Sequence, residues 1–179
     1  SYEPGNTLTR AEDLECKLVL LRFFKEQGLA LGSEEAADFG VPYVDWLENR
    51  HLRTAGESIP LWPLVFHDAV FCARYTRRPG ASSSAWLEDL LWGYQLLWWL
   101  RDKEDWHARQ DEFRSSFAVD RWHARVGAAE MLDHRFLTED GEIERTIFAP
   151  GLGIVVNFAP EARTVDGLTV PGQGYVFVD

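Results

Sequence analysis

The chain has 179 residues, with 18 Lys+Arg against 29 Asp+Glu and a formal net charge of −11. That length fits one ordinary domain or a domain with a small appendage. A content of 46% hydrophobic and 26% charged residues is that of a globular chain able to bury a core, and it excludes a disordered or low-complexity protein. The basic clusters, Arg77-Arg78 and residues 121–125, are too small to neutralise a phosphate backbone, so nucleic acid is not an expected partner. Cys16 and Cys72 have no CxxC or Cys/His spacing around them and read as small buried hydrophobes. No apolar run reaches the length of a membrane span, since even residues 87–100 are broken by Glu88, Asp89, Gly93 and Gln95. The opening Ser-Tyr-Glu-Pro-Gly is neither a start Met nor a leader, and the expectation is that processing or truncation removed what came before. The compartment stays open.

In chain order, Leu14, Leu18, Leu21 and Phe24 recur at helical spacing over residues 9–27 and predict a buried helical face. Thr9 and Glu12 form a T-x-x-E capping box at its start, and Gly28 stands at its C-terminal cap. The run Leu29-Ala30-Leu31-Gly32 then ends in Ser33-Glu34-Glu35, as a buried parallel strand over residues 29–33 would end at a functional edge. Residues 36–58, with Asp38, Phe39, Tyr43, Asp45, Trp46 and Glu48, read as a long loop over a site. A second strand is expected within residues 61–66, closing in His67-Asp68, with Pro60 and Pro63 confining its regular part to residues 64–67. Ser82-Ser83-Ser84 offer an N-cap to a long helix whose face carries Leu87, Leu90, Leu91, Tyr94, Leu97 and Trp98. A more polar helix is expected over residues 113–125.

After Gly127 the pattern changes to period two. Residues 131–137 and 143–149 flank the hairpin signal Glu139-Asp140-Gly141, and residues 154–158, 164–165, 168–170 and 175–178 supply further strands between turn residues. These predict a small antiparallel sheet or sandwich. Residues 1–126 and 127–179 are thus expected to be an α/β portion and an all-β portion.

The strongest candidate for chemistry is Glu34, with Glu35 beside it. A carboxyl at the C-terminal end of a parallel strand points into the crevice where α/β enzymes work, and apolar walls can raise its pKa for general-acid use; the same pair could equally begin a solvated loop. His67-Asp68 repeats the pattern, although a lone histidine of this kind is more often a hydrogen-bonded core residue. Trp46, with Tyr43 and Phe39, could stack on a sugar face or simply pin its own loop, and Trp62 could be barrel interior or pocket wall. Trp86, Trp92, Trp98 and Trp99 read as core packing. GxGxxG, P-loop, GxSxG and HExxH motifs are absent from the sequence, and neither a metal nor a cofactor is indicated.

The order helix, strand, Leu31-Gly32-Ser33-Glu34, aromatic-rich residues 38–45, then Ile59-Pro60-Leu61-Trp62-Pro63-Leu64-Val65-Phe66-His67-Asp68 resembles the last part of the catalytic barrel of endo-α-N-acetylgalactosaminidases and their exo-acting relatives. Glu144-Arg145-Thr146-Ile147-Phe148, Val155-Val156-Asn157-Phe158 and Leu168-Thr169-Val170-Pro171 resemble that group's C-terminal β-domain. The resemblance implies the closing units of a (β/α)8 barrel plus a β-sandwich, acting by a retaining mechanism on a carbohydrate. It makes Glu34 the acid/base, with Glu35 the choice if the match slips by one. Glu35, Asp38, Trp46, Trp62, His67 and Asp68 become candidate substrate contacts. The nucleophile, an Asp ending the preceding strand in that family, has no match here and is expected upstream of Ser1, in the remainder of the barrel. The competing reading is a non-catalytic carbohydrate-binding or structural module in which Glu34 is incidental.

Overall fold

A computed structural model describes residues 7–34, 37–48, 59–77 and 85–178. Helix α1 spans Arg10–Glu26, and its capping box is formed as expected, with Thr9 accepting from the Glu12 amide while the Glu12 carboxylate accepts from the Thr9 amide at 2.7 Å. Gly28 follows at φ +72°, the left-handed conformation that ends helices. The expected buried face is only half covered: Leu14, Leu18, Leu21 and Phe24 are half-buried, Val19, Leu20 and Phe23 are exposed, and no residue of α1 is fully buried. Cys16 is exposed on this helix, contrary to expectation, whereas Cys72 is buried.

Strands β1 (Gly32–Glu34), β2 (Trp46–Glu48), β3 (Phe71–Arg77) and β4 (Gln95–Trp98) form a sheet in that order, with every neighbouring pair parallel. The sheet itself matches the α/β expectation, but its strands are not where the sequence pattern puts them. β1 begins three residues later than expected. β2 lies inside the stretch read as a loop, joined to β1 by a crossover whose described residues include a 3-10 turn at Asp38–Gly40. The expected strand over residues 61–66 is instead helix α2 (Leu61–Phe66). Pro63 sits in its first turn, where a missing N–H costs no hydrogen bond, and Leu64 N bonds Pro60 O while His67 N bonds Pro63 O. A short, uniformly apolar run carries no period that separates strand from helix.

Helix α3 (Ala85–Trp92) is shorter than expected, because Gly93 turns at φ +70° and the chain re-enters the sheet as β4. The serines expected to cap it, Ser82 to Ser84, lie outside the described residues. An unexpected short helix, α4 (Lys103–Ala108), comes next, and the polar helix expected over residues 113–125 is divided between α5 (Gln110–Ser115) and α6 (Phe117–Val126).

The β-portion follows its turn chemistry closely. Strands β5 (Met131–Phe136), β6 (Ile143–Phe148), β7 (Leu152–Asn157) and β10 (Gly174–Val178) form an antiparallel sheet in the order β10-β7-β6-β5. β8 (Arg163–Val165) and β9 (Leu168–Val170) form a separate hairpin closed at Asp166 and Gly167, both at positive φ. Leu87, Leu90 and Leu91 of α3 are fully buried in one core cluster with Leu47, Cys72 and Leu96 of the parallel sheet and Phe148, Ile154 and Val156 of the antiparallel sheet. Trp122 of α6 joins this layer, donating from Nε1 to Leu90 O at 2.7 Å and meeting Phe148 and Phe177 with its ring. Helix α3 is therefore the shared layer between the two sheets.

Candidate functional site

Four parallel strands gather their C-terminal ends on one edge. Leu47 pairs in register with Cys72, and Arg74 with Leu96; all four side chains turn toward α3, where Arg74 is held by Asp89 and Glu88, each at 2.7 Å. Alternation then puts Gly32, Glu34, Trp46, Glu48 and Ala73 on the opposite face. Glu34, Glu48 and Ala73 share one register level, so the two glutamates stand on adjacent strands, whose spacing is about 4.8 Å. Glu34 is exposed and Glu48 buried, at 2% exposure. Glu35 lies outside the described residues.

Trp46 enters the same face two residues before Glu48 and covers Gly32; a Cβ there would fall 2.7 Å from the Trp46 ring. Glycine at residue 32 is what lets this indole lie beneath the carboxylates. Asp38 opens the 3-10 turn and accepts from the Phe39 amide. Tyr43 and Asp45, read as loop residues over a site, instead tie the crossover to α1: Arg22 donates to the Tyr43 hydroxyl, and Lys25 to the Asp45 carboxylate at 2.8 Å. Asp45 also accepts from the Leu31 amide, and these bonds hold its pKa below the usual carboxylate range.

Trp62, His67 and Asp68 lie elsewhere. Because residues 61–66 form a helix before β3 rather than a strand, they sit at the N-terminal edge of the sheet, away from Glu34. Trp62 packs on Phe66 at 4.6 Å and against the core. His67 is 3% exposed; its Nδ1 contacts Ala129 O at 2.7 Å, Nε2 faces Gly93 O at 3.4 Å, and the ring rests on Phe148. Burial pushes its pKa down, against the backbone carbonyls of Ala129 and Gly93, which favour the protonated ring. His67 thereby joins α2, the α3–β4 turn and the α6–β5 connection. Asp68 is exposed and lines a cleft of about 440 Å³ with Lys25, Asp45, His67 and Phe71.

Sequence reasoning read Glu48 as part of a loop over a site and Trp99 as core packing, and it missed Tyr75; Glu48 is instead a buried strand residue and Trp99 is exposed. The strand that holds Glu48 is only three residues long, that of Tyr75 was unrecognised, and Trp99 follows a strand, β4, that was read as the end of a continuous helix. Gly93 followed by Gln95-Leu96-Leu97-Trp98 was the available sign of a helix end and a new strand. Among the described residues no three His, Cys, Asp or Glu side chains converge as a metal site, and no helix is long and apolar enough to cross a membrane.

Neither a family model nor a curated protein sequence matches the chain. Solved structures of the α-N-acetylgalactosaminidase NagBb from Bifidobacterium bifidum share its fold. The N-acetylgalactosamine complex matches 98% of this chain at 23% identity and a TM-score of 0.73. The ligand-free form matches 87% at 24% identity and 0.71, and the Gal-NHAc-DNJ complex 87% at 25% and 0.69. The chain spans only 26–28% of the length of those proteins.

Proposed function

We propose that residues 1–126 are the closing part of a (β/α)8 catalytic barrel and residues 127–179 its β-domain, together belonging to a retaining glycoside hydrolase. The bond cleaved is an O-glycosidic one, to α-linked N-acetylgalactosamine or a related hexose. The observation that carries this reading is Glu34, an exposed carboxyl ending a parallel strand on the sheet face turned away from α3. In a barrel that face is the interior and that edge the catalytic one. The fold shared with an α-N-acetylgalactosaminidase supports the same reading.

In the mechanism Glu34 is the acid/base. It protonates the glycosidic oxygen as the bond to the anomeric carbon breaks, then removes a proton from the water that hydrolyses the glycosyl-enzyme. A retaining pair stands about 5–5.5 Å apart. Glu48 has the right register for such a partner, but at 2% exposure it is shielded from an anomeric carbon, and we assign it to positioning. The nucleophile is then a carboxylate from a strand beside the free edge of β1, outside these 179 residues.

The test is Glu34→Ala in the complete enzyme. Substrates with poor leaving groups should lose most of their rate, while activated aryl glycosides keep a fast first step and accumulate the glycosyl-enzyme. Azide should then restore turnover and give a glycosyl azide of retained configuration. A variant of near wild-type rate on both substrates would eliminate the assignment, and Glu35→Ala would then be the next variant to measure.

A further inference from the structure

The structure assigns a second ligand site, for a small organic ammonium ion, to the cleft at the N-terminal edge of the parallel sheet. It lies at the opposite strand ends from Glu34 and does not depend on the glycosidase reading. Its residue Asp45 precedes Glu48 by three positions, about 10 Å of strand. At about 440 Å³ the cleft has the size of a small-molecule site, lined by apolar side chains and a few polar ones. Val44 and Val70 line it and are buried, whereas Phe71 is 49% exposed. The walls are fixed before a ligand arrives. Phe71 N donates to Asp45 O, Asp45 Oδ2 accepts from the Leu31 amide at 2.9 Å, and His67 Nδ1 lies 2.7 Å from Ala129 O.

Charge selects the ligand. Helices α1 and α6 both end at this cleft, α1 with Lys25 in its last turn and α6 at Val126, just before the lining residues Gly127 and Ala128. The C-terminal end of a helix carries about half a negative charge and favours a cation. Lys25 stands at one of these ends, but its Nζ is bonded to Asp45 at 2.8 Å, so the two charges cancel. Arg125, in the last turn of α6, lies 5.8 Å from the Trp122 ring and does not line the cleft. Burial lowers the pKa of His67 and of His123, whose ring is 6.1 Å from that of Phe71, so neither adds positive charge in neutral or alkaline solution. Asp68 is exposed in the cleft wall and makes no hydrogen bond or ion pair with another described residue. The cleft thus presents an uncompensated carboxylate, the negative end of α6 and an open aromatic ring. An alkylammonium ion answers each of these, with its charge against Asp68 and the Phe71 ring and its chain along Val44 and Val70. An anion would meet Asp68 and, among the described residues, no unpaired cation.

The test titrates the 179-residue chain with hexylamine, 1-hexanol and hexanoate, probes of one shape and different charge, and follows the backbone amide resonances by NMR. Hexylamine should shift the amides of Asp68, Phe71 and Ala128 saturably and leave that of Glu34 in place. It should bind about tenfold more tightly than 1-hexanol, equivalent to ~1.4 kcal/mol, and hexanoate should bind more weakly than either. High salt should narrow the gap between amine and alcohol. Asp68→Asn keeps the size of an exposed side chain and should weaken hexylamine about threefold while leaving 1-hexanol unchanged. Phe71→Leu, which stays apolar but loses the ring, should weaken the amine more than the alcohol. The proposal is overturned by 1-hexanol binding as tightly as hexylamine, by Asp68→Asn holding hexylamine as tightly as the parent, or by amide shifts that never saturate. Hexylamine should bind Glu34→Ala as it binds the parent, so failure of the acid/base assignment and failure of this site are read separately.

Discussion

Arg74 offers a direct test of how the parallel sheet is fastened to α3. Its side chain is 10% exposed and faces two carboxylates, Asp89 at 0% and Glu88 at 12%, each bonded at 2.7 Å. The guanidinium also lies 5.4 Å from the Trp92 ring. Arg74→Met keeps much of the apolar stem but removes the charge that compensates a fully buried aspartate. Deleting one partner of a buried pair costs about 3–5 kcal/mol, and in a chain of this size each kcal/mol moves Tm by about 2–4 °C. Scanning calorimetry with urea titration should therefore show a Tm lower by about 6–20 °C. The loss should also depend on pH. Without Arg74, burial raises the folded-state pKa of Asp89 above its unfolded value of about 3.9. The folded state then binds the extra proton, so the deficit is absent below that unfolded value and grows as pH rises through the folded one. Arg74→Met with Asp89→Leu, which removes the guanidinium and the fully buried carboxylate and leaves only the more accessible Glu88, should recover most of the stability. A single variant within 1 kcal/mol of the parent by the scale of ordinary surface changes, or one whose deficit is flat between pH 4 and 7, would refute this account.

Gly93→Ala should destabilise by about 1–3 kcal/mol, because φ there is +70° and the new Cβ meets the His67 ring; the urea midpoint measures it, and an unchanged midpoint would contradict the turn geometry. Burial lowers the pKa of His67 and takes that of His123 to about 4, so the unfolded chain binds more protons below about pH 6.5 and stability falls as pH drops toward 4. His123→Gln should flatten that slope in equilibrium unfolding curves. The 179-residue chain by itself should not hydrolyse an aryl glycoside in a chromogenic assay; turnover abolished by Glu34→Gln would show that the second carboxyl lies within it.

Several signals that act over a few residues were sufficient by themselves, although the helix end at Gly93 was not read. The Thr9–Glu12 capping box, Gly28, the turn at Glu139-Asp140-Gly141 and the Asp166-Gly167 hairpin all form as their local chemistry requires, because each satisfies its own backbone groups without help from the rest of the fold. The strand end at Glu34 was legible for a similar reason, lying just past a clear helix stop. Residues 61–66 were not, since an apolar run of six packs as well in a helix as in a strand, and the choice depends on what lies against it. Parallel pairing is nonlocal: the register across β1 and β2 brought Glu48 level with Glu34, and the pairing of β3 with β4 brought Trp99 against Tyr75. His67 shows the converse: its neighbour Asp68 and its apolar approach resembled a catalytic strand end, but once residues 61–66 coil into a helix, the ring is carried to the far edge and buried between two backbone carbonyls.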